Sequence, residues 1–226
     1  MKKIVVLTGA GMSAESGIST FRDSGGLWEK YRIEDVATPE AWIKNPGLVL
    51  DFYNQRRAQL FKVKPNEGHY ALADLEKNYD AEIITQNVDN LHERAGSSKI
   101  LHLHGELMKV RSTGVGAEVF DIKENKIDIN MGDLCPKGFQ LRPHIVWFGE
   151  AVPEIENAIK IVQKADILVI IGTSMQVYPA AGLIHYAKNG IPIYVIDPNE
   201  ISNLSSNIVL IKKTATAGLK ELINLL

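Results

Sequence analysis

Short, continuously apolar runs alternate along this chain with stretches whose apolar positions recur every three or four residues. The runs at 4–7, 81–85, 166–171, 191–196 and 208–211 are rich in Ile and Val. Runs without polar alternation read as strands buried on both faces, the habit of a parallel sheet. The stretches between them read as helices. One covers 35–61 with a break at Pro46, where Thr38-Pro39 and Asn45-Pro46 place proline at a first helical position. Others open at Asn66 with Ala71, Leu72 and Leu75 inward, run over 154–164, start at Tyr178-Pro179 and continue to Tyr186, and close the chain over 218–226. Alternation of strand and helix predicts an α/β fold with a doubly wound parallel sheet. Segments 1–30, 79–105 and 149–226 carry that rhythm. Segments 31–78 and 106–148 do not, and form a second, smaller lobe made from two insertions. Within the latter, 118–122 and 127–129 read as the arms of a β-hairpin around a polar turn.

Composition narrows the function classes. The chain has 226 residues, 45% of them hydrophobic, enough for a substantial core. Net charge is −2 with no basic run, which argues against nucleic acid and anionic membrane as partners. The single cysteine, Cys135, rules out an internal disulfide framework and a four-thiolate zinc site. No apolar run approaches the length of a membrane helix, and the run after Met1-Lys2-Lys3 ends at Leu7, short of a signal-peptide core. A cytoplasmic protein is expected.

Candidate chemistry collects where strands end. After the first strand, Gly9, Gly11 and Ala14 are spaced G-x-G-x-x-A, letting the backbone turn tightly and approach a pyrophosphate. A helix starting near Ser13 would aim its amides at that phosphate. Gln86-Asn87-Val88-Asp89 follows the second strand as a binding cluster or a helix cap, and both readings are open. His102 and His104 alternate onto one strand face without a third donor nearby, and His104, beside Gly105, suits acid/base work. Gly172-Thr173-Ser174 is a second strand-end loop. Tyr53 and Arg56 share a helix face with Arg57 beside them. Periodicity alone reads these as a core-edge tyrosine and a solvated arginine pair.

Taken in order, these segments resemble the sirtuins, NAD-dependent protein-lysine deacylases. The resemblance rests on Gly9-Ala10-Gly11-Met12-Ser13, Thr20-Phe21-Arg22-Asp23, Thr85-Gln86-Asn87-Val88-Asp89, Leu103-His104-Gly105, Leu141-Arg142-Pro143 with Val146-Trp147-Phe148-Gly149-Glu150, and Gly172-Thr173-Ser174 with Val177. It implies a Rossmann-like fold and NAD consumed as co-substrate. Gly9, Ala10, Gly11, Ser13, Ala14, Glu15, Gly172, Thr173 and Ser174 would hold the cofactor, with Thr20, Phe21, Arg22 and Trp28 in a closing loop. Gln86, Asn87, Val88 and Asp89 would hold the nicotinamide end, and Asp197, Pro198, Asn199 and Ala215 the adenosine end. His104, with Asn87 and Asp89, would be catalytic, His104 as general base on a ribose hydroxyl. Val146, Trp147, Phe148 and Gly149 would pair with the substrate peptide and line an acyl-lysine tunnel. Products would be free lysine, nicotinamide and O-acyl-ADP-ribose, made by a monomer. Tyr53 and Arg56 match the Tyr-x-x-Arg pair of the subgroup that removes acidic acyl groups such as succinyl and malonyl. Arginine can take a carboxylate bidentately, and Ala37 leaves room for the longer chain.

The chain also departs from that pattern. Where the family carries two Cys-x-x-Cys pairs, this sequence has Ser112 and Val115, then Cys135 and Gly138. No zinc is expected, and the 118–129 hairpin would supply apolar contacts in its stead. Asp197 stands where asparagine is usual. It still accepts from ribose hydroxyls and disfavours a 2′-phosphate. Two other functions compete: an NAD-sensing binding module without turnover, and ADP-ribosyl transfer to protein.

Overall fold

The computed structural model describes residues 1–18, 30–123, 125–173, 176–199 and 208–226. Its larger sheet has the order β3-β2-β1-β7-β8-β9. These strands are β1 (Lys3–Thr8), β2 (Asp80–Thr85), β3 (Ile100–His102), β7 (Ile167–Ile171), β8 (Ile193–Ile196) and β9 (Ile208–Ile211). Each neighbouring pair is parallel. Parallel strands require crossovers that lay helices on both faces. On one face Ile4, Val6, Ile83 and Val169 pack with Leu72 and Leu75 of α5 (Glu67–Leu75) and with Leu219 and Leu222 of α8 (Ala215–Leu225). On the other, Val5, Leu7, Leu168 and Ile170 pack with Ala158 and Val162 of α7 (Ile155–Val162). Chain order runs outward from β1 on one side and from β7 on the other. The crevice at their carboxyl ends is therefore a topological switch point. No helix among the described residues is long and apolar enough to cross a membrane.

The second sheet, of order β5-β4-β6, is antiparallel: β4 (Gly105–Ser112), β5 (Val119–Asp121) and β6 (Leu141–Ile145). It packs against α2 (Ile33–Val36), α3 (Pro39–Lys44) and α4 (Pro46–Leu60) through a core that includes Val36, Phe52, Tyr53, Leu107 and Trp147. Also among the described residues are α1 (Gly11–Ala14), α6 (Leu91–Ala95) and a run of 3-10 turns over Ala180–Tyr186.

Several expectations are corrected. The partner of β5 is β4, with Val110 opposite Phe120, and 127–129 forms no strand. That segment docks on α4 instead: Asn54 bonds both the amide and the carbonyl of Ile129, and Arg57 Nε donates to the Ile127 carbonyl at 2.7 Å. Ile122 and Ile129 still bury beside Leu50 and Val110. Arg57 is fully buried rather than solvated. Segment 35–61 is interrupted at Ala37–Thr38 as well as at Asn45, because the Thr38 and Asn45 side chains each cap a new helix. α5 lies on the larger sheet, although its position placed it with the smaller lobe; its Leu72–Leu75 stripe matches the sheet face beside α8. β3 stops at His102, so His102 and His104 do not share a strand face. Gly105 makes the break: its φ is +80°, and a Cβ there would lie 2.0 Å from the His144 carbonyl oxygen. Residues 180–186 form tight 3-10 turns, and α8 begins three residues before Gly218.

His69 of α5 and His92 of α6 are buried ring to ring, 4.9 Å between centroids. His69 Nδ1 accepts from the Asn66 amide, and His92 Nε2 lies 3.1 Å from Thr8 Oγ1. Burial lowers His69 to about 4, and burial with the neighbouring His69 and His102 lowers His92 to about 3. Both lie below the unfolded value of about 6.5. Their contribution is therefore complete above pH 6.5 and is lost as pH falls towards 4, where the unfolded chain takes up protons that the folded one refuses. Thermal melts should show Tm falling across this window, with a shallower slope in His92→Gln. Equal slopes would contradict the assignment.

Candidate functional site

At the switch point two glycine turns meet. Gly9 N donates to the Ile171 carbonyl at 3.0 Å and Gly11 N to the Gly172 carbonyl at 2.9 Å. A Cβ on Gly11 would lie 2.7 Å from Gly172 Cα, and one on Gly172 would lie 2.6 Å from the Gly11 carbonyl carbon. These glycines are thus required by the approach of loop to loop. α1 starts at Gly11, two residues before the expected Ser13, and is a single turn.

Ser13 on α1 reaches the loop after β2. Its Oγ donates to Asp89 Oδ2 at 3.0 Å and accepts from Asn87 Nδ2 at 3.1 Å, while Asn87 Nδ2 also donates to the Gly9 carbonyl. The Asn87 amide donates to Thr85 Oγ1, to which Thr8 Oγ1 donates in turn. Asp89 Oδ1 accepts from the Leu91 amide at the start of α6, so the same residue steadies that helix start and forms part of the cavity wall. Burial pushes the Asp89 carboxyl up, against the bonds from Leu91 and Ser13. Gln86 Nε2 donates to Thr173 Oγ1, tying this loop to the second glycine turn.

His104 stands at the corner between β3 and β4. Its Nδ1 lies 3.1 Å from the Gln86 carbonyl, which can only accept. The proton therefore sits on Nδ1 and leaves Nε2 as a lone pair. Burial lowers its pKa against that bond, so the ring is neutral near pH 7. His102 faces elsewhere. Glu93 and Glu106 stand beside it, where no further donor was expected, and Lys109 Nζ lies 2.8 Å from Glu106.

Gly9, Gly11, Ser13, Gln86, Asn87, Asp89, His104 and Gly172 line one cavity of about 600 Å³, which continues past Ala37, Tyr53 and Arg56 and along 145–150. Tyr53 is buried, and its hydroxyl accepts from Trp147 Nε1 at 3.0 Å. Its own hydrogen then remains available to an acceptor in the cavity. Burial pushes the Tyr53 phenol up to about 12, so it stays protonated, while burial lowers the Arg56 guanidinium against the pull of Tyr53 and Asp89. Strand β6 ends at Ile145, one residue before the expected peptide-pairing segment. The Val146 amide donates to the His104 carbonyl and the Phe148 amide to the Ala37 carbonyl. Glu150 accepts from Arg111, Arg142 and the Trp147 amide, and the Arg142 guanidinium lies 3.5 Å over the Trp147 ring. Arg142 and Glu150 sit within the motifs that carry the sirtuin resemblance without a residue-level signal of this role, and no local pattern marks Arg111.

A family model described as "Sir2 family" matches residues 9–179. The chain belongs to the Sir2 family. It is 60% identical to an NAD-dependent protein deacylase of Bacteroides thetaiotaomicron over all of this chain and 98% of that protein. It is 56% identical to one of Helicobacter pylori strain 26695, over 98% and 96% respectively. Among solved structures, a Sir2 homolog–NAD complex matches with TM-score 0.87 and 42% identity over 99% of this chain and 89% of that one. A Sir2–p53 peptide–NAD+ complex matches with TM-score 0.80 and 26% identity, over 98% and 92%.

Within this Sir2 frame, every sequence-predicted site residue among the described ones lines the same cavity. Thr20, Phe21, Arg22, Trp28 and Ser174 lie outside the described residues. The residues present fit NAD. The two glycine turns allow close backbone approach, and the buried Ser13–Asn87–Asp89 group offers donors and acceptors to an amide. The Glu15 carboxylate is already engaged, accepting from Thr214 Oγ1 and from the Thr216 amide at the start of α8. Asp197 Oδ1 accepts from the Asn199 amide and side chain. Ser112 and Cys135, which stand at the first positions of the two expected cysteine pairs, meet. Ser112 Oγ lies 3.3 Å from Cys135 Sγ and accepts from the Gly114 amide, the Cys135 amide donates to the Phe139 carbonyl, and Val115 is 98% exposed.

Proposed function

We propose that this Sir2-family chain is an NAD-dependent protein-lysine deacylase that accepts acidic acyl groups, succinyl and malonyl among them, as well as acetyl. The observation carrying the acyl reading is Tyr53 and Arg56 on the wall of the cavity that also holds His104. Trp147 Nε1 donates to the phenol oxygen, so the Tyr53 hydrogen can go to a terminal carboxylate beside Arg56. An apolar wall could not replace those donors, because burying an unpaired charge is costly. Ala37, buried at the same wall, adds little bulk.

NAD, when bound, would supply a ribose carbon that an acyl oxygen can attack as the bond to nicotinamide breaks. The chain orients the parts. Asn87, Asp89 and Ser13 hold the carboxamide end, and Gly9–Gly11 with Gly172 and Thr173 cradle the phosphates. Asp197 and Ala215 border the adenosine. His104 Nε2 takes a proton from a ribose hydroxyl; its neutral state fits it for that at pH 7. The backbone of the segment 146–149 pairs with an extended peptide, giving affinity that depends little on sequence.

We also propose that the chain folds as a monomer without zinc. The Ser112–Cys135 contact, the turn from Cys135 to Phe139 and the buried Ile122 and Ile129 take the metal's place in the smaller lobe. Elemental analysis should find no stoichiometric zinc, and a chelator should leave Tm unchanged; bound zinc in molar ratio contradicts this.

Acyl-lysine peptides with NAD test the acyl reading. Loss of a charge-assisted hydrogen bond costs about 1.5–3 kcal/mol, roughly ten- to hundredfold. Arg56→Met should lower kcat/KM for succinyl-peptide by about that factor relative to acetyl-peptide, and His104→Tyr should abolish both. An equal effect of Arg56→Met on the two peptides would remove the acidic-acyl assignment.

A further inference from the structure

His102 lies at the end of β3, outside the cavity, against the backbone of the loop that carries Asn87 and Asp89. Its Nδ1 is 3.2 Å from the Asn87 carbonyl oxygen and its Nε2 is 2.6 Å from Glu93 Oε1. A carbonyl and a carboxylate can only accept. A neutral imidazole has one N–H, so both contacts are hydrogen bonds only when the ring carries two. The surroundings favour that cation. Glu93 on α6, Glu106 on β4 and Asp89 on the loop face it with negative charge. Lys109 on β4 is paired to Glu106, and His92 on α6 is neutral. The His102 side chain is 9% exposed, so solvent screens these charges little.

We propose that His102, held as an imidazolium by Glu93, is a positioning residue for NAD turnover: it clamps the Asn87 carbonyl and so fixes the side chains of Asn87 and Asp89. The carbonyl it grips belongs to the residue whose Nδ2 bonds Gly9 and Ser13. A shift of this backbone would therefore misplace the nicotinamide end of the cavity. The positive ring also favours the ionised, accepting form of Asp89, which burial opposes. Burial works against the His102 cation, but the Glu93 bond and the nearby carboxylates outweigh it, and its pKa is raised. A raised pKa means the clamp is complete at low pH and is lost as pH rises through that value.

The proposal rests on Asn87 and Asp89 serving the cofactor, and the test separates the two ideas. Histidine Cε1–H resonances of the wild type are followed from pH 5.5 to 9, with kcat/KM for NAD measured over the same range. One histidine should titrate above 6.5; its signal should vanish in His102→Gln and move down in Glu93→Gln. The alkaline decline in kcat/KM should follow that midpoint and shift to lower pH in Glu93→Gln. His102→Gln should lower kcat/KM for NAD about tenfold, the worth of one charge-assisted bond, and flatten the decline. If Asn87→Ala abolishes turnover while Glu93→Gln leaves the profile in place, the His102 proposal is wrong and the site stands. If Asn87→Ala turns over normally, the site reading itself fails.

Discussion

The structure depends on the contact between two backbone turns at the switch point, Gly9–Gly11 after β1 and Gly172 after β7. Here the strand order reverses, so the two loops must diverge to opposite faces of the sheet while their starting points touch. The Gly11 amide bonds the Gly172 carbonyl, and neither residue has space for a Cβ. Because the loops close on each other, α1 is aimed across the crevice, and Ser13 can reach Asn87 and Asp89 on the loop after β2. The cavity is the space left above that junction.

Its polar lining is mostly spoken for before any ligand arrives. Thr8, Thr85, Asn87, Ser13 and Asp89 form a continuous hydrogen-bonded series, and His104 is fixed in one tautomer by the Gln86 carbonyl. Prepaired groups of this kind lose little freedom on binding, which favours precise placement. The smaller lobe contributes the other wall by similar means. Glu150 gathers two arginines and the Trp147 amide, and Trp147 in turn orients Tyr53. Charge on that lobe thus acts through an aromatic side chain on the Tyr53 hydroxyl.

The strands of the larger sheet were legible in the sequence because burial on both faces leaves an unbroken apolar run, as at Ile167–Ile171. The strand-end clusters were legible because Gly9, Gly172, Asn87 and His104 sit within short motifs. Long-range pairing was not. The partner of β5 depends on Asn54 and Arg57, some seventy residues away, holding 127–129 by its backbone. The place of α5 depends on which face its leucines meet, which periodicity does not specify. The Arg111–Arg142–Glu150 group and the His102–Glu93 pair join separate elements through side-chain tips, and no local pattern marks either. Gly105 was visible only as a neighbour of His104, whereas its backbone angle is what separates β3 from β4 and turns His104 away from His102.

We propose that one cavity couples NAD cleavage to an acylated lysine. The most direct measurement is nicotinamide release from NAD by the purified wild-type protein, with and without a succinyl-lysine peptide, together with mass analysis of the ADP-ribose product. Release that requires the peptide and yields one O-succinyl-ADP-ribose per free lysine is the predicted result. Nicotinamide released at the same rate without peptide, or ADP-ribose appearing on protein with no acyl product, would contradict it.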